Sequence, residues 1–181
     1  MLQRWLYRSR QFFAAWGDVS RKDMAEAREV LGPELYRVFA GMPRQYRLHS
    51  LKVYRGARRS GCNDKTVWQA ALLHDSGKYD PDTRRYVTIG YRVLVVLLAS
   101  FPVGRRMLKW LGREGPTGAH MFRLSYWRYP FFLHRHHPEL GARIASANGA
   151  SKDVSELIAS HHTYGSGSSA LRALQAADDN S

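Results

Sequence analysis

The most informative segment of this chain is Ala70-Ala71-Leu72-Leu73-His74-Asp75-Ser76-Gly77-Lys78. An apolar helical run ends in two adjacent residues of metal-binding type, and a glycine and a lysine follow. Neighbouring side chains on a helix point about 100° apart, so both can reach one ion only where the helix ends. An imidazole and a carboxylate together suit a divalent transition metal ion in a hydrolytic site. Since a His-Asp pair is common by chance, this interpretation depends on further ligands elsewhere in the chain.

The size and composition of the chain are those of a globular domain. Its 181 residues suffice for one domain with a sizeable core, and a hydrophobic content of 44% argues against disorder. The single cysteine, Cys62, excludes an internal disulfide framework and a cysteine-based zinc site, and it is typical of a reducing cytosol. The longest fully apolar run, Val93 to Ala99, is too short to cross a bilayer, and arginines interrupt the first 16 residues where a signal peptide would be apolar. We therefore expect a cytoplasmic protein.

Positive charge is concentrated in one part of the chain. The net charge is +13, and residues 84–138 alone carry ten Arg or Lys against one acid, Glu114. Aromatic residues interleave with these charges. A basic solvated surface would explain the pattern, and so would attraction of a polyanionic substrate, anionic lipid or nucleic acid. The mixture favours an element that contacts an anionic membrane over a sequence-specific reader of nucleic acid, although buried aromatic residues would give the same pattern.

The hydrophobic periodicity predicts helices almost throughout and no strand of good quality. Ser20, with Asp23 three residues later, is a candidate N-cap for a helix that Gly32-Pro33 would end, and Pro138 is placed as the first residue of a helix through Ala147. Four other predicted helices cover residues 2–16, 34–40, 44–59 and 170–179. A further helix begins after a cap at Asn63 or Asp64 and runs to His74, and another covers residues 154–162 after a cap at Ser151. Residues 91–111 are predicted as one helix, or as two divided near Pro102.

Four further places in the sequence carry residue types that bind metals. These are His49 within a predicted helix, His137 before Pro138, His161 and His162 at a helix end, and Asp178 in the last helix. Each has an ordinary alternative. His49 could be a surface histidine or a core histidine with its hydrogen bonds satisfied, and His134, His136 and His137 could form a solvated basic cluster. His161 and His162 could interact with the carboxyl end of their helix, and Asp178 could belong to a charged tail. Because these alternatives are independent of one another, five places that all offer ligands favour a metal centre assembled from separate helices.

The order of these residues resembles the defining motif of the HD-domain metal-dependent phosphohydrolases. His49, then His74-Asp75, then Asp178 is similar to the His…His-Asp…Asp series of that superfamily, and residues 72–78 are similar to its Leu-Leu-His-Asp-Ile-Gly-Lys signature, with Ser76 replacing isoleucine. The resemblance covers residues 46–179 apart from a long insertion. It implies an all-α fold, with a single HD-type helical domain over residues 44–181. Two parts of the chain have no counterpart in the family, namely a basic, aromatic-rich helical insertion at about 84–133 and an N-terminal helical extension over residues 1–43.

Two further segments are similar to the additional histidines of the two-metal HD branches. They are His137-Pro138-Glu139-Leu140-Gly141-Ala142 and the pair His161-His162. Those branches include the HD-GYP cyclic dinucleotide phosphodiesterases and small hydrolases that act on dinucleoside polyphosphates. HD-GYP enzymes follow their paired histidines with an acid and a Gly-Tyr-Pro stretch, whereas this chain has Thr163-Tyr164-Gly165-Ser166-Gly167. The chain is therefore closer to the small two-metal hydrolases, and its insertion is unlike that of either branch.

The resemblance implies a centre of divalent metal ions, two in number. Ligand type favours Fe or Mn, while Zn, Ni or Mg is not excluded. Ions of this kind can activate water for attack on phosphorus and neutralise phosphoryl oxygens. The implied ligands are His49, His74, Asp75 and Asp178 for one ion, and His137, His161 and His162 for a second ion that Asp75 bridges to the first.

The implied function is metal-dependent hydrolysis of a phosphate ester or anhydride, in a nucleotide or dinucleotide. Asp75 and Lys78 would be the catalytic residues. Asp75 would bridge the two ions, and Lys78, one turn past the ligand pair, can donate to a phosphate oxygen or leaving group. Arg84 and Arg85 are candidates, with Lys78, for binding the phosphates of the substrate.

Two alternatives belong to other classes of protein. A binding module that kept the fold and lost turnover would lack ligands, and none of the motif residues is missing. A membrane-surface or partner-binding protein would use the basic aromatic insertion as its working part, which is compatible with hydrolysis.

Overall fold

The computed structural model describes residues 19–80, 85–113, 127–165 and 167–181, apart from the side chains of residues 85, 89, 92 and 96. The all-α prediction is confirmed, with two-residue strands as the one addition. The predicted helix over residues 2–16 lies outside the described residues. The elements are α1 (Arg21–Gly41), α2 (Arg44–Arg59), α3 (Lys65–Leu73), a 3₁₀ turn (Ser76–Lys78), β1 (Tyr79–Asp80), β2 (Arg85–Tyr86), α4 (Ile89–Ala99), α5 (Pro102–Leu111), α6 (Tyr129–Ala147), α7 (Lys152–Ser160) and α8 (Ser169–Asp179).

Helix α1 begins where the sequence predicts. The Ser20 hydroxyl accepts from the backbone N–H of Asp23 at 3.1 Å, and the Asp23 carboxylate accepts from the N–H of Ser20 at 3.0 Å. Gly32 takes a φ of 72°, which kinks the helix. The helix predicted to end at Gly32-Pro33 and the one predicted over residues 34–40 are therefore one kinked element. Glycine adopts this backbone conformation at little cost, and Pro33 can start the second segment.

The main core lies among α1, α2, α3, α7 and α8. Each of these helices contributes fully buried side chains to the core, including Phe39, Tyr46, Leu72, Ile158 and Leu174. Asp64 and Ser151 accept hydrogen bonds at the N-termini of α3 and α7, as the sequence predicts. This packing brings the ends of α3 and α7 close to the middle of α2 and the end of α8.

The predicted insertion contains a helical hairpin joined to α6. Pro102 begins α5, so the predicted 91–111 segment is two helices. Val95 of α4, Leu111 of α5 and Phe131 of α6 form a small core of their own. Strands β1 and β2 pair antiparallel, with Tyr79 opposite Tyr86. Within the described part of the chain these are the only strands, and each is too short to show alternation in sequence.

The prediction that Pro138 begins a helix is wrong. Pro138 lies inside α6, which begins at Tyr129 with Pro130 in its first turn. A proline has no N–H to donate to the carbonyl four residues earlier, which here is that of His134. The Nδ1–H of His137 donates to this oxygen at 2.7 Å instead. A side chain thus takes the place of the missing backbone donor, and the helix continues through the proline.

Candidate metal centre

His74 and Asp75 lie at the end of α3, where the backbone leaves the helix. His74 is the C-cap residue, and Asp75 follows with φ −94° and ψ 3° before the 3₁₀ turn. This change of direction lets two adjacent side chains face the same point, as the sequence predicts. The His74 Nε2 and Asp75 Oδ1 atoms are 3.4 Å apart, and both residues are almost completely buried.

Asp75 lies between histidines of two groups. Its Oδ2 is 3.9 Å from His49 Nε2, and its Oδ1 is 3.8 Å from His137 Nε2. The first group consists of His49, His74 and Asp178, and the second of His137, His161 and His162, with the ligand atoms of each group all within 4.8 Å of one another. The structure therefore brings together all seven side chains that the sequence assigns as ligands.

The first group joins three helices. His49 comes from the middle of α2, and its Nε2 is 2.9 Å from Asp178 Oδ1 near the end of α8. The same carboxylate oxygen is 3.6 Å from His74 Nε2. His49 and Asp178 each keep 20% of the side chain exposed, so solvent reaches this side of the site. Asp178 is thus part of the site and not a charged tail.

The second group joins α6 to the turn that follows α7. The Nε2 atoms of His137 and His162 are 3.1 Å apart. The rings of His137 and His161 meet edge to face, with centroids 5.2 Å apart. His161 and His137 are buried while His162 is exposed, so this group is open to the surface on the side of His162.

Three of the histidines are oriented by the same kind of hydrogen bond. The Nδ1–H groups of His74, His137 and His161 donate to the carbonyl three residues earlier, at 2.9, 2.7 and 2.6 Å. Two of these carbonyls lie in the last turn of a helix and have no helical donor, and the third has lost its donor to Pro138. A proton fixed on Nδ1 leaves the lone pair of Nε2 free to bind a metal.

A close approach of backbones holds the Asp75 turn against α6. A Cβ atom on Gly77 would lie 2.2 Å from the His137 carbonyl oxygen and 2.6 Å from the Gly141 nitrogen. Any side chain at residue 77 would therefore push the turn away from His137. The glycine after the His-Asp pair thus sets the distance between the two groups of ligands.

Positive charge surrounds the central carboxylate. The Lys78 Nζ is 2.6 Å from Asp75 Oδ1, and only 12% of the lysine side chain is exposed. Burial would raise the pKa of Asp75, but the charge of Lys78 and the neighbouring imidazoles hold it well below the usual value. The imidazoles of His74 and His49 likewise lower the pKa of Asp178, against the effect of burial. Both carboxylates are therefore ionised at neutral pH and able to bind a cation.

Burial keeps most of the imidazoles neutral. It lowers the pKa of His49, and together with the charge of Lys78 it lowers those of His137 and His162. Burial and the nearby His74 lower the pKa of His161 to about 3. His74 differs, because the two carboxylates Asp75 and Asp178 outweigh its burial and raise its pKa. Neutral imidazoles are the form that binds metals.

The donor set fits divalent metal ions. His74 Nε2, His161 Nε2 and Asp75 Oδ2 are buried and have no hydrogen-bond partner among the described residues. Leaving buried polar atoms unpaired costs roughly 1–3 kcal/mol each, so their convergence needs a compensating ligand. Nitrogen and carboxylate donors around two adjacent points match the preferences of Fe, Mn, Zn or Ni.

Gln175 is a positioning residue that the sequence did not reveal. Its buried amide donates to the carbonyls of His161 at 3.2 Å and Thr163 at 3.0 Å, which ties the turn carrying the paired histidines to α8. A glutamine three residues before Asp178 on a helix gives no signal of this role in sequence. Of the predicted substrate-binding residues, Arg84 and the side chain of Arg85 lie outside the description, whereas Lys78 lies at the centre.

Comparison with known families gives one match that covers most of the chain. The model of the HD domain matches residues 46–180. The chain belongs to the HD domain family. The matched residues include all seven ligands and Lys78, and they begin one turn before His49. Comparisons with curated proteins and with solved structures found no match.

The HD domain places the centre in a superfamily of metal-dependent hydrolases. Its His and Asp clusters could hold divalent metal. Among the described residues, no helix combines the length and apolar character needed to cross a bilayer.

Proposed function

We propose that this HD domain is a metal-dependent phosphohydrolase that cleaves a phosphate ester or anhydride in a nucleotide or dinucleotide. The observation that carries the proposal is the position of Asp75 between two groups of three ligands. Divalent ions held by these groups would activate water and neutralise charge on phosphoryl oxygens. One carboxylate that lies between two groups of ligands is an arrangement suited to two such ions.

The protein supplies the geometry of the reaction. Nδ1 hydrogen bonds hold His74, His137 and His161 with Nε2 toward the centre, so the ligands need little reorganisation. Lys78 is the cation beside the centre, with 12% of its side chain exposed, and it would donate to a phosphoryl oxygen or to the leaving group as charge develops. The exposed side of the centre, at His49, Asp178 and His162, would admit the substrate.

The proposal can be tested with the full chain by elemental analysis and a substrate panel. The panel contains nucleoside mono-, di- and triphosphates, cyclic nucleotides and dinucleoside polyphosphates, each assayed with Mn²⁺, Fe²⁺, Ni²⁺, Zn²⁺ and Mg²⁺. We expect phosphate release or nucleotide products with at least one class. A metal-loaded protein that leaves every member of the panel intact would contradict the proposal.

Variants connect turnover to the centre. His74→Ala and Asp75→Ala should each lose both bound metal and turnover, because each removes a ligand atom. His136→Ala is the matched control, since the Nε2–H of His136 donates to the Gly112 carbonyl at 3.1 Å and the residue takes no part in the centre. It should keep metal and turnover. Full turnover in Asp75→Ala would show that the activity arises elsewhere.

A further inference from the structure

Helix α5 carries a row of exposed apolar side chains. Val103, Met107 and Trp110 are 74%, 41% and 54% exposed, and their spacing places them along one face of the helix. Phe101, which precedes the helix, is 64% exposed. We call these four residues the apolar ridge. An exposed row of this kind marks an interaction surface more often than a solvated one.

The ridge lies on a helix that is fixed by a different face. A Cβ on Gly104 would lie 2.0 Å from the Leu98 carbonyl oxygen, so the backbones of α4 and α5 touch. Leu111 packs in the small core with Val95 and Phe131. The apolar ridge is therefore not needed to pack α5 against its neighbours, because the helix already buries a separate apolar face.

The last carbonyl groups of α5 are held by arginines of the α6 segment. Arg128 donates to the carbonyls of Trp110 and Leu111 at 3.3 Å, and Arg135 donates to that of Lys109 at 2.9 Å. The Arg128 guanidinium also lies over the Trp110 ring, 5.2 Å from its centroid. These contacts place Trp110 at a fixed position on the surface.

Exposed basic side chains adjoin the ridge. Arg105, Arg106, Lys109 and Arg113 are all exposed, and no carboxylate of the described residues forms an ion pair with any of them. Helical spacing puts Arg106 beside the ridge and Lys109 on the same flank. Helix α5 has no acidic residue of its own.

We propose that α5 docks the protein on the surface of an anionic phospholipid bilayer. An apolar row flanked by cations is the pattern of a helix that lies in the membrane interface, with apolar side chains among the acyl chains and cations at the lipid phosphates. Nucleic acid would pair with the cations but gives protruding Val103 and Met107 nothing to bury against. The neighbouring helix adds exposed Val93, Leu94 and Leu97 to the apolar surface of the same hairpin.

Vesicle flotation of the full chain tests this proposal. We expect the protein to float with vesicles of phosphatidylcholine and phosphatidylglycerol and to stay behind with phosphatidylcholine alone. Binding should fall in roughly 1 M salt, where the Debye length is about 3 Å. Equal flotation with both kinds of vesicle would overturn the proposal.

Two double variants separate the cationic from the apolar contribution. Arg106→Gln with Lys109→Gln should weaken binding roughly 25-fold, since each cation near the surface contributes about a fivefold factor. Val103→Ser with Met107→Ser should weaken it by about tenfold or more. Lys22→Gln with Arg143→Gln removes the same charge from exposed positions on α1 and α6 and should bind as the unaltered protein does. All six positions are exposed, and circular dichroism checks that each variant folds.

The same variants identify other occupants of the surface. If the serine variant floats normally and binds oligonucleotides like the unaltered protein, while the glutamine variant loses both, the partner is a polyanion and the proposal is wrong. If the unaltered protein is a dimer that the serine variant disperses, and neither floats, the ridge is an interface between copies and the proposal is also wrong.

Discussion

At the scale of single residues, the centre depends on how each donor atom is aimed. Three histidines carry Nδ1–H bonds to carbonyl groups of their own helices, and each such bond fixes the tautomer that presents Nε2. These carbonyls lack a backbone donor because two of them lie at the end of a helix and the third lies four residues before Pro138. Asp75 needs no such device, because Lys78 and the surrounding imidazoles together outweigh its burial and hold its pKa well below the usual value.

Lys78 is the residue whose role is easiest to separate from metal binding. Lys78→Met keeps the length of the side chain and removes its charge. We expect turnover to fall about 100-fold, because a cation aimed at the reacting phosphate is lost, while metal content is unchanged. Elemental analysis and steady-state kinetics with the substrate found by the panel measure both quantities. Loss of metal in this variant would mean that Lys78 supports the ligands and does not act on the substrate.

At the scale of elements, the centre is held by places where helices touch or are tied together. The 3₁₀ turn approaches α6 at backbone distance, and Gln175 ties the turn after α7 to α8. Between α1 and α2, Arg55 of α2 binds Asp23 at 2.5 Å and Glu26 at 2.7 Å, which anchors α1. These contacts decide where the helices that carry ligands can lie.

Gly77→Ala tests the backbone contact. The new Cβ would meet backbone atoms that cannot move independently, so we expect the free energy of unfolding to fall by about 1–3 kcal/mol and metal affinity to fall with it. Gly90→Ala is the matched control, since a Cβ there has nothing within 4 Å and replaces a glycine in a helix. It should leave metal affinity unchanged and be neutral or slightly stabilising. Denaturant unfolding and metal titration provide the measurements, and equal behaviour of the two variants would contradict the argument.

Arg55→Met tests the anchor of α1 and carries a pH dependence. The hydrogen bond from Arg55 holds the pKa of Asp23 below its usual 3.8, so the stabilisation is fully present above that pH and is lost as the pH falls through the lowered pKa. We expect the variant to lose about 1 kcal/mol at neutral pH, with a difference from the unaltered protein that shrinks in acid. Urea unfolding of both proteins from neutral pH downward measures it. Arg59→Met, in the same helix, is the control and should show little change, and a difference that grew in acid would reverse the assignment.

At the scale of the whole molecule, the centre links segments that are far apart in sequence. Its ligands come from α2, the ends of α3 and α7, the middle of α6 and the end of α8. A bound ion therefore crosslinks most of the helical domain. Since the native state alone brings these ligands together, metal binding should stabilise it by mass action.

Removal of metal should lower the thermal stability of the whole domain. Treatment with a chelator should lower the Tm by about 5–10 °C, which corresponds to roughly 3 kcal/mol for metal present at about 100 times its Kd. Re-addition of Mn²⁺ or Fe²⁺ should restore it, as followed by scanning calorimetry. His74→Ala serves as the control, because a variant that holds no metal should melt at the same temperature with and without chelator. A similar chelator effect on His74→Ala would point to a different metal site.

The class of fold and the identity of the candidate ligands could be predicted from the order of the amino acids. Several features are local properties that can be read from neighbouring residues. They are the helical periodicity, the caps at Ser20, at Asn63 or Asp64 and at Ser151, and the end of a helix at His74-Asp75. The order of the His and Asp residues led to the HD family in the same way. The prediction that Pro138 begins a helix was wrong. A helix continues through this proline because a neighbouring side chain donates to the carbonyl that the proline leaves free, and that contact is not visible in the sequence.

How these residues meet depends on the packing of the folded chain. The position of Asp75 between two groups of ligands depends on a backbone contact at Gly77, and the turn with the paired histidines depends on the amide of Gln175. The exposed ridge of α5 was equally hidden, because buried and exposed apolar residues have the same spacing in sequence. All three depend on which helices pack together, and that choice is made by contacts between residues far apart along the chain, which no local pattern records.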